Sequence, residues 1–118
     1  MKRTLFIILC LVFAITITAS IAFATAYASG YYNGYQYNAS LSRTSNYVSA
    51  SMTYNGNSTL YLYGSYSYEY IGALYHKPLN GSGVSSASAY GNVPSDGSSI
   101  GSYCAFYVYS SMVTSLTD

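Results

Sequence analysis

In three segments between Tyr35 and Tyr70 a bulky or apolar side chain recurs at every second residue. A period of two suits a pleated strand with one face buried and no other regular structure. In the first such segment Tyr35, Tyr37, Ala39 and Leu41 share a face, with Gly34 and Arg43-Thr44-Ser45 punctuating its ends. Val48, Ala50, Met52 and Tyr54 line one side of the second. Leu60, Leu62, Gly64, Tyr66, Tyr68 and Tyr70 line one side of the third, opposite Ser65, Ser67 and Glu69.

Asn55-Gly56 between the second and third segments is a tight-turn signal. A loop of Asn55-Gly56-Asn57 would set Met52 against Leu60 and Ala50 against Leu62, whereas a two-residue loop would swap the faces. The expectation is therefore a hairpin with a three-residue loop.

Pro78, Gly81, Gly83 and Gly91 interrupt the stretch from Ile71 to Asn92, leaving Val84–Tyr90 as a weak, serine-rich edge strand. Asn92 to Ser99 reads as loop by composition. Ile100 to Leu116 closes the domain, with Cys104, Phe106 and Val108 on one face and Tyr103, Tyr107 and Tyr109 on the other. Several short strands at this spacing predict an all-β fold, a small antiparallel β-sandwich or barrel-like domain preceded by an N-terminal signal helix. Tyr66, Tyr68 and Tyr70 are expected in its core, because Leu, Ile, Val and Phe are too few to fill one.

The N-terminal segment carries a different message. Lys2-Arg3, an apolar run from Leu5 to Phe13, and small-residue patterns at Ala22-Phe23-Ala24, Ala24-Thr25-Ala26 and Ala26-Tyr27-Ala28 have the layout of a secretory signal peptide. Cleavage after Ala28 makes residues 1–28 the leader and 29–118 a single small β domain; Ala24 and Ala26 offer alternative sites. An uncleaved anchor is the competing reading, since the apolar span reaches the ~20 residues of a membrane helix. Thr16, Thr18, Ser20 and Thr25 interrupt it and favour cleavage. The expected location is thus secreted or extracellular, with no membrane association after the leader is removed.

Charge narrows the function classes. Charged residues make up 6% of the chain, against ~25% in a typical globular protein. Beyond the leader only Arg43 and Lys77 are basic and only Glu69, Asp96 and Asp118 acidic, which gives 2 − 3 = −1. Nucleic-acid binding needs clustered Lys and Arg, so no nucleic-acid partner is expected. Disorder is disfavoured by the tyrosines, 17 in all and 16 beyond residue 28.

Cys10 falls in the leader, which leaves Cys104 without an intramolecular partner and excludes a disulfide framework. Its parity with Phe106 and Val108 predicts a small buried hydrophobe; an intermolecular disulfide is the sharper alternative.

Chemistry-bearing residues are sparse. His76 is the sole histidine, in Leu74-Tyr75-His76-Lys77-Pro78, and is expected in a solvated loop; a triad with Asp96 and a serine has no motif to frame it. Glu69 and Asp96 are the two carboxylates available away from the C-terminus for glycosidase chemistry, with Glu69 on a polar strand face. One His and one Cys do not make a zinc site. No catalytic residue, metal ligand or cofactor is therefore assigned. Asn38-Ala39-Ser40, Asn57-Ser58-Thr59 and Asn80-Gly81-Ser82 fit the N-glycosylation pattern.

The candidate binding residues are aromatic. Tyr61, Tyr63, Tyr103, Tyr107 and Tyr109 have the outward parity of their strands, and such rings stack on sugars, on another protein or on copies of themselves. The expected function is a small secreted non-catalytic β protein, structural, adhesive or self-associating, at the cell surface or in the extracellular matrix. A carbohydrate- or cell-wall-binding module and a secreted bacteriocin-like toxin are the alternatives. Expected partners are further copies of the chain, as oligomer or fibre, or a cell-wall glycan.

Overall fold

The computed structural model describes residues 22–118, with side chains from Thr25 onward. The expected signal helix and Cys10 lie outside the described residues. Eight strands follow one another: β1 (Ala22–Tyr32), β2 (Tyr35–Thr44), β3 (Tyr47–Tyr54), β4 (Thr59–Tyr70), β5 (Ala73–Val84), β6 (Ser86–Asn92), β7 (Ser98–Val108) and β8 (Ser111–Thr117). They form two antiparallel four-stranded sheets, ordered β1-β2-β3-β6 and β5-β4-β7-β8. The fold is all-β and sandwich-like: β1 lies over β8, β2 over β7, β3 over β4 and β6 over β5.

The period-two faces become the core. Ala39 and Leu41 from β2, Val48, Ala50, Met52 and Tyr54 from β3, Leu60, Leu62, Tyr66 and Tyr68 from β4, and Cys104, Phe106 and Val108 from β7 are all buried. Burial of such aliphatic and aromatic side chains stabilises by roughly 1.5–3 kcal/mol each, and it is the main force holding the two layers together. Two tyrosines depart from expectation because their strands run past their neighbours in the same sheet. Tyr70 is only half-buried, lying past Glu69↔Ser98, the last rung that β4 shares with β7. Tyr35 is exposed, beyond Tyr37↔Tyr54, where β2 leaves β3.

The expected β3–β4 hairpin does not form. Met52 pairs with Ala39 and Ala87, while Leu60 pairs with Gly83 and Val108, so the chain crosses between sheets after Tyr54. The crossing sets the apolar face of β3 against that of β4 across the core instead of beside it in one sheet. Gly56 makes the crossing possible, because a Cβ at that position would collide with the ring of Tyr54.

β5 runs straight through the positions that composition marks as breakers. Pro78 is accommodated because β5 is an edge strand. Gly81 and Gly83 lie so close to β6 that a Cβ on either would strike the carbonyl of Ser88 or Ser86. The expected single strand Val84–Tyr90 is split at Ser85 (φ 61°), where the chain passes from one sheet to the other. Ser85 N–H donates to the Ser58 carbonyl at 3.0 Å, and its own carbonyl accepts from Tyr54 N–H at 2.9 Å. That flank of the sandwich is closed by backbone.

Residues 22–28, which the Ala28 cleavage reading places in the leader, form the first part of β1. They are in register with β2, from Ala28↔Ala39 back to Ala24↔Arg43 and Ala22↔Thr44.

Candidate functional site

Three of the five outward tyrosines meet on the outer face of β4 and β7. Antiparallel register sets Tyr61 directly opposite Tyr107 and Tyr63 opposite Ala105. The Tyr61 and Tyr63 rings lie 6.2 Å apart and nearly parallel, and Tyr63 meets Tyr107 edge-on at 5.6 Å. Mutual packing leaves Tyr61 and Tyr107 half-buried and Tyr63 exposed, and it covers Ala105. Tyr103 is on the same face, two residues further along β7 and opposite Ser65. It borders a shallow depression of about 220 Å³ with Ser67, Gly101 and Thr117.

Tyr109 does not join this face. It occupies the β7–β8 turn with φ 53°, and its N–H donates to the Thr59 carbonyl at 2.8 Å. It stands instead at a cleft of about 400 Å³ at the end of the sandwich. The cleft arises because the β1–β2 hairpin overhangs the opposite sheet. Tyr32, Tyr35 and Tyr54 form one wall, and the β3–β4 loop and the β7–β8 turn complete it. Tyr54 is central, with ring centroids 6.5 Å from Tyr32 and 6.0 Å from Tyr35. Its hydroxyl donates to the Tyr32 carbonyl at 2.8 Å, and the Tyr32 hydroxyl donates to Ser111 Oγ at 3.0 Å. Burial raises the Tyr54 phenol above its ordinary pKa, with the phenols of Tyr32 and Tyr35 adding to the effect. Sequence reasoning missed this site because no single segment contains it; Asn33-Gly34 and Asn55-Gly56 signal turns without saying that they converge.

The other outer face, on β1, β2, β3 and β6, is a sheet of hydroxyls and amides. Its rungs include Thr25–Ser42–Ser49–Tyr90 and Tyr27–Ser40–Ser51–Ser88. Ser40 and Ser51 hydroxyls bond at 2.7 Å and those of Thr25 and Ser42 at 3.3 Å, while Tyr47 and Tyr90 stack at 5.4 Å.

His76 lies in β5 rather than in a loop. It faces Ser67 across the sheet, with Ser67 Oγ 2.7 Å from Nδ1. Asp96 belongs to the Val93–Gly97 connection, and no hydrogen bond joins it to this pair. Cys104 is fully buried, and burial pushes its thiol up to about 11. Among the described residues no three potential metal ligands cluster, and no helix is long and apolar enough to cross a membrane.

No family model, no curated protein and no solved structure matches the chain.

Proposed function

We propose that the chain is an exported, non-catalytic structural or adhesive protein that associates with copies of itself at the cell surface or in the extracellular matrix. The supporting observation is the contrast between the two flanks of the sandwich. The β5–β6 flank is joined through Ser85 and carries Lys77 and Pro78, residue types that block strand addition. The opposite flank presents β1 and β8, the outer strands of their sheets, with no charged residue and no proline in either. Eight residues of β1, Thr25–Tyr32, remain after a cut at Ala24, and among the described residues their outer edge is unpaired, a row of backbone donors and acceptors open to another strand.

A second copy turned by a two-fold axis normal to the sheets satisfies that row. Such an axis makes β1 antiparallel to the partner's β1 and β8 antiparallel to the partner's β8, which extends both layers to eight strands. The tyrosine and hydroxyl faces are left outward, repeated on each copy, as surfaces for adhesion.

Two-fold antiparallel pairing must set one β1 residue opposite itself. Single cysteines at Ala26, Tyr27, Ala28 and Ser29 of the full chain, oxidised in the cells that make it, should give a reducible dimer peaking at one position. Cysteines at Ser88 and Tyr90 on β6 should give none. A monodisperse monomer by light scattering, with no crosslink along β1, would overturn the proposal.

A further inference from the structure

We infer that the cleft at the overhanging end of the sandwich binds a neutral saccharide, at a site that does not depend on self-association. Its volume of about 400 Å³ falls in the range of small-molecule sites. The lining contains no carboxylate, ammonium or guanidinium group. A charged ligand would therefore be desolvated there without a compensating partner. A wholly apolar ligand fits no better, since it would strip water from the amides of Asn33 and Asn57 and the hydroxyls of Ser58 and Ser110. The chemistry that suits rings and amides together is uncharged and two-sided. A sugar has C–H faces to lay on tyrosine rings and hydroxyls to exchange with amides.

The walls are set in advance. Tyr32 and Tyr54 are fixed by their hydroxyl bonds to Ser111 and to the Tyr32 carbonyl. Tyr35 and Tyr109 stand at the rim, 53% and 67% exposed, and neither hydroxyl has a hydrogen-bond partner among the described residues. Tyr109 is the telling residue. Its φ of 53° is a left-handed conformation that Gly or Asn adopts at little cost and a bulky side chain does not. Packing does not explain a tyrosine there, because the ring is largely in solvent. Exposed Ile71 in the β4–β5 turn carries the same strain, but at Tyr109 it holds a ring at the rim of a cleft, a setting in which strained residues serve binding.

The test is titration of the full chain, purified from the cells that make it, with the hexasaccharides of cellulose, chitin, β-1,3-glucan and mannan. Oligogalacturonate serves as the charged comparison. At least one neutral hexasaccharide should bind, and Tyr109→Gly should weaken it about tenfold or more while the melting temperature holds or rises. Tyr109→Phe should keep the affinity, and Tyr35→Ala should lower it. Tyr61→Ala with Tyr63→Ala should leave it unchanged. Binding of none of the neutral probes, preference for the charged one, or indifference to Tyr109→Gly overturns the inference. The β1 crosslink should persist in Tyr109→Gly, so failure here is separable from failure of self-association.

Discussion

Arg43, at the end of β2, holds Asp118 across the two sheets, with Nε 2.9 Å from Oδ2 and the carboxylate side chain 1% exposed. Arg43 Nη1 also donates to the Ser99 carbonyl and hydroxyl, at 3.0 and 3.1 Å, and Asp118 Oδ1 accepts from Ser102 N–H at 2.8 Å. This polar clasp closes the end of the sandwich opposite the cleft. Removing one partner strands a charge out of water, so Arg43→Met should destabilise by about 3–5 kcal/mol. The double variant Arg43→Met, Asp118→Asn should recover part of that loss. Denaturant titration of the full cycle measures the coupling; simple additivity would show that the ion pair contributes nothing beyond its members.

The β4–β5 turn holds an isoleucine in a conformation hostile to it. Ile71 and Gly72 have φ of 50° and 72°, the signature of a two-residue turn that favours Asn-Gly. Ile71 is 83% exposed and has little packing to lose. Ile71→Asn should therefore stabilise the protein by about 1 kcal/mol, read as a higher melting temperature. A drop would mean that the exposed side chain makes a contact worth more than the strain.

Cys104 links stability to alkaline pH. Burial raises the thiol from 9.0 to about 11, so between these values the unfolded chain releases a proton that the folded chain retains. Stability is then full below pH 9 and falls as pH rises towards 11, by up to about 2–3 kcal/mol from this group. Cys104→Ala should flatten that part of the profile, while the raised phenols of Tyr54 and Tyr66 still contribute a decline. At pH 8 iodoacetamide should label the native protein far more slowly than the denatured one; equal rates would contradict the burial.

The approach of β5 to β6 depends on absent side chains. Gly81→Ala pushes a methyl into the Ser88 carbonyl, a backbone atom that cannot rotate aside. A loss of about 1–3 kcal/mol is expected. Unchanged stability would mean that this flank of the sandwich opens easily.

Cleavage of the proposed leader should leave most of β1 in place. A cut after Ala28 would remove the rungs from Ala28↔Ala39 back to Ala22↔Thr44 and strip Ala39 to Thr44 of their neighbour on that side. A cut after Ala24 keeps the strand from Thr25. N-terminal sequencing of the processed chain is expected to begin at Thr25, which keeps the eight β1 residues Thr25–Tyr32, and a start at Ser29 would leave four and remove Ala26, Tyr27 and Ala28 from the proposed contact.

Much of this architecture is legible in residue order. Alternation around Val48–Tyr54 and Leu60–Tyr68 names strands and buried faces together, because a pleat sends neighbours to opposite sides whatever lies next to it. The parity of Cys104 with Phe106 and Val108 likewise predicts its burial. Strand partners are a different matter. Asn55-Gly56 looks the same whether the chain doubles back or crosses over, and the position of Gly56 against the Tyr54 ring appears only after the crossing is made. His76-Lys77-Pro78 looks like loop because a proline ends central strands, yet β5 is an edge. Tyr109 shares outward parity with Tyr107, but the turn ends the alternation and carries its ring to the cleft.

The amino-acid sequence by itself determined that the described chain is all-β and which residues of β3 and β7 face inward. These are local properties, fixed by the two-residue repeat and by side-chain solubility. Tertiary structure alone decided that β3 and β4 face each other across the core, that β5 and β6 close one flank while β1 and β8 are the outer strands of the other among the described residues, and that Tyr32, Tyr35, Tyr54 and Tyr109 converge. Those outcomes depend on which distant segments share backbone hydrogen bonds, and every antiparallel partner offers a strand the same donors and acceptors.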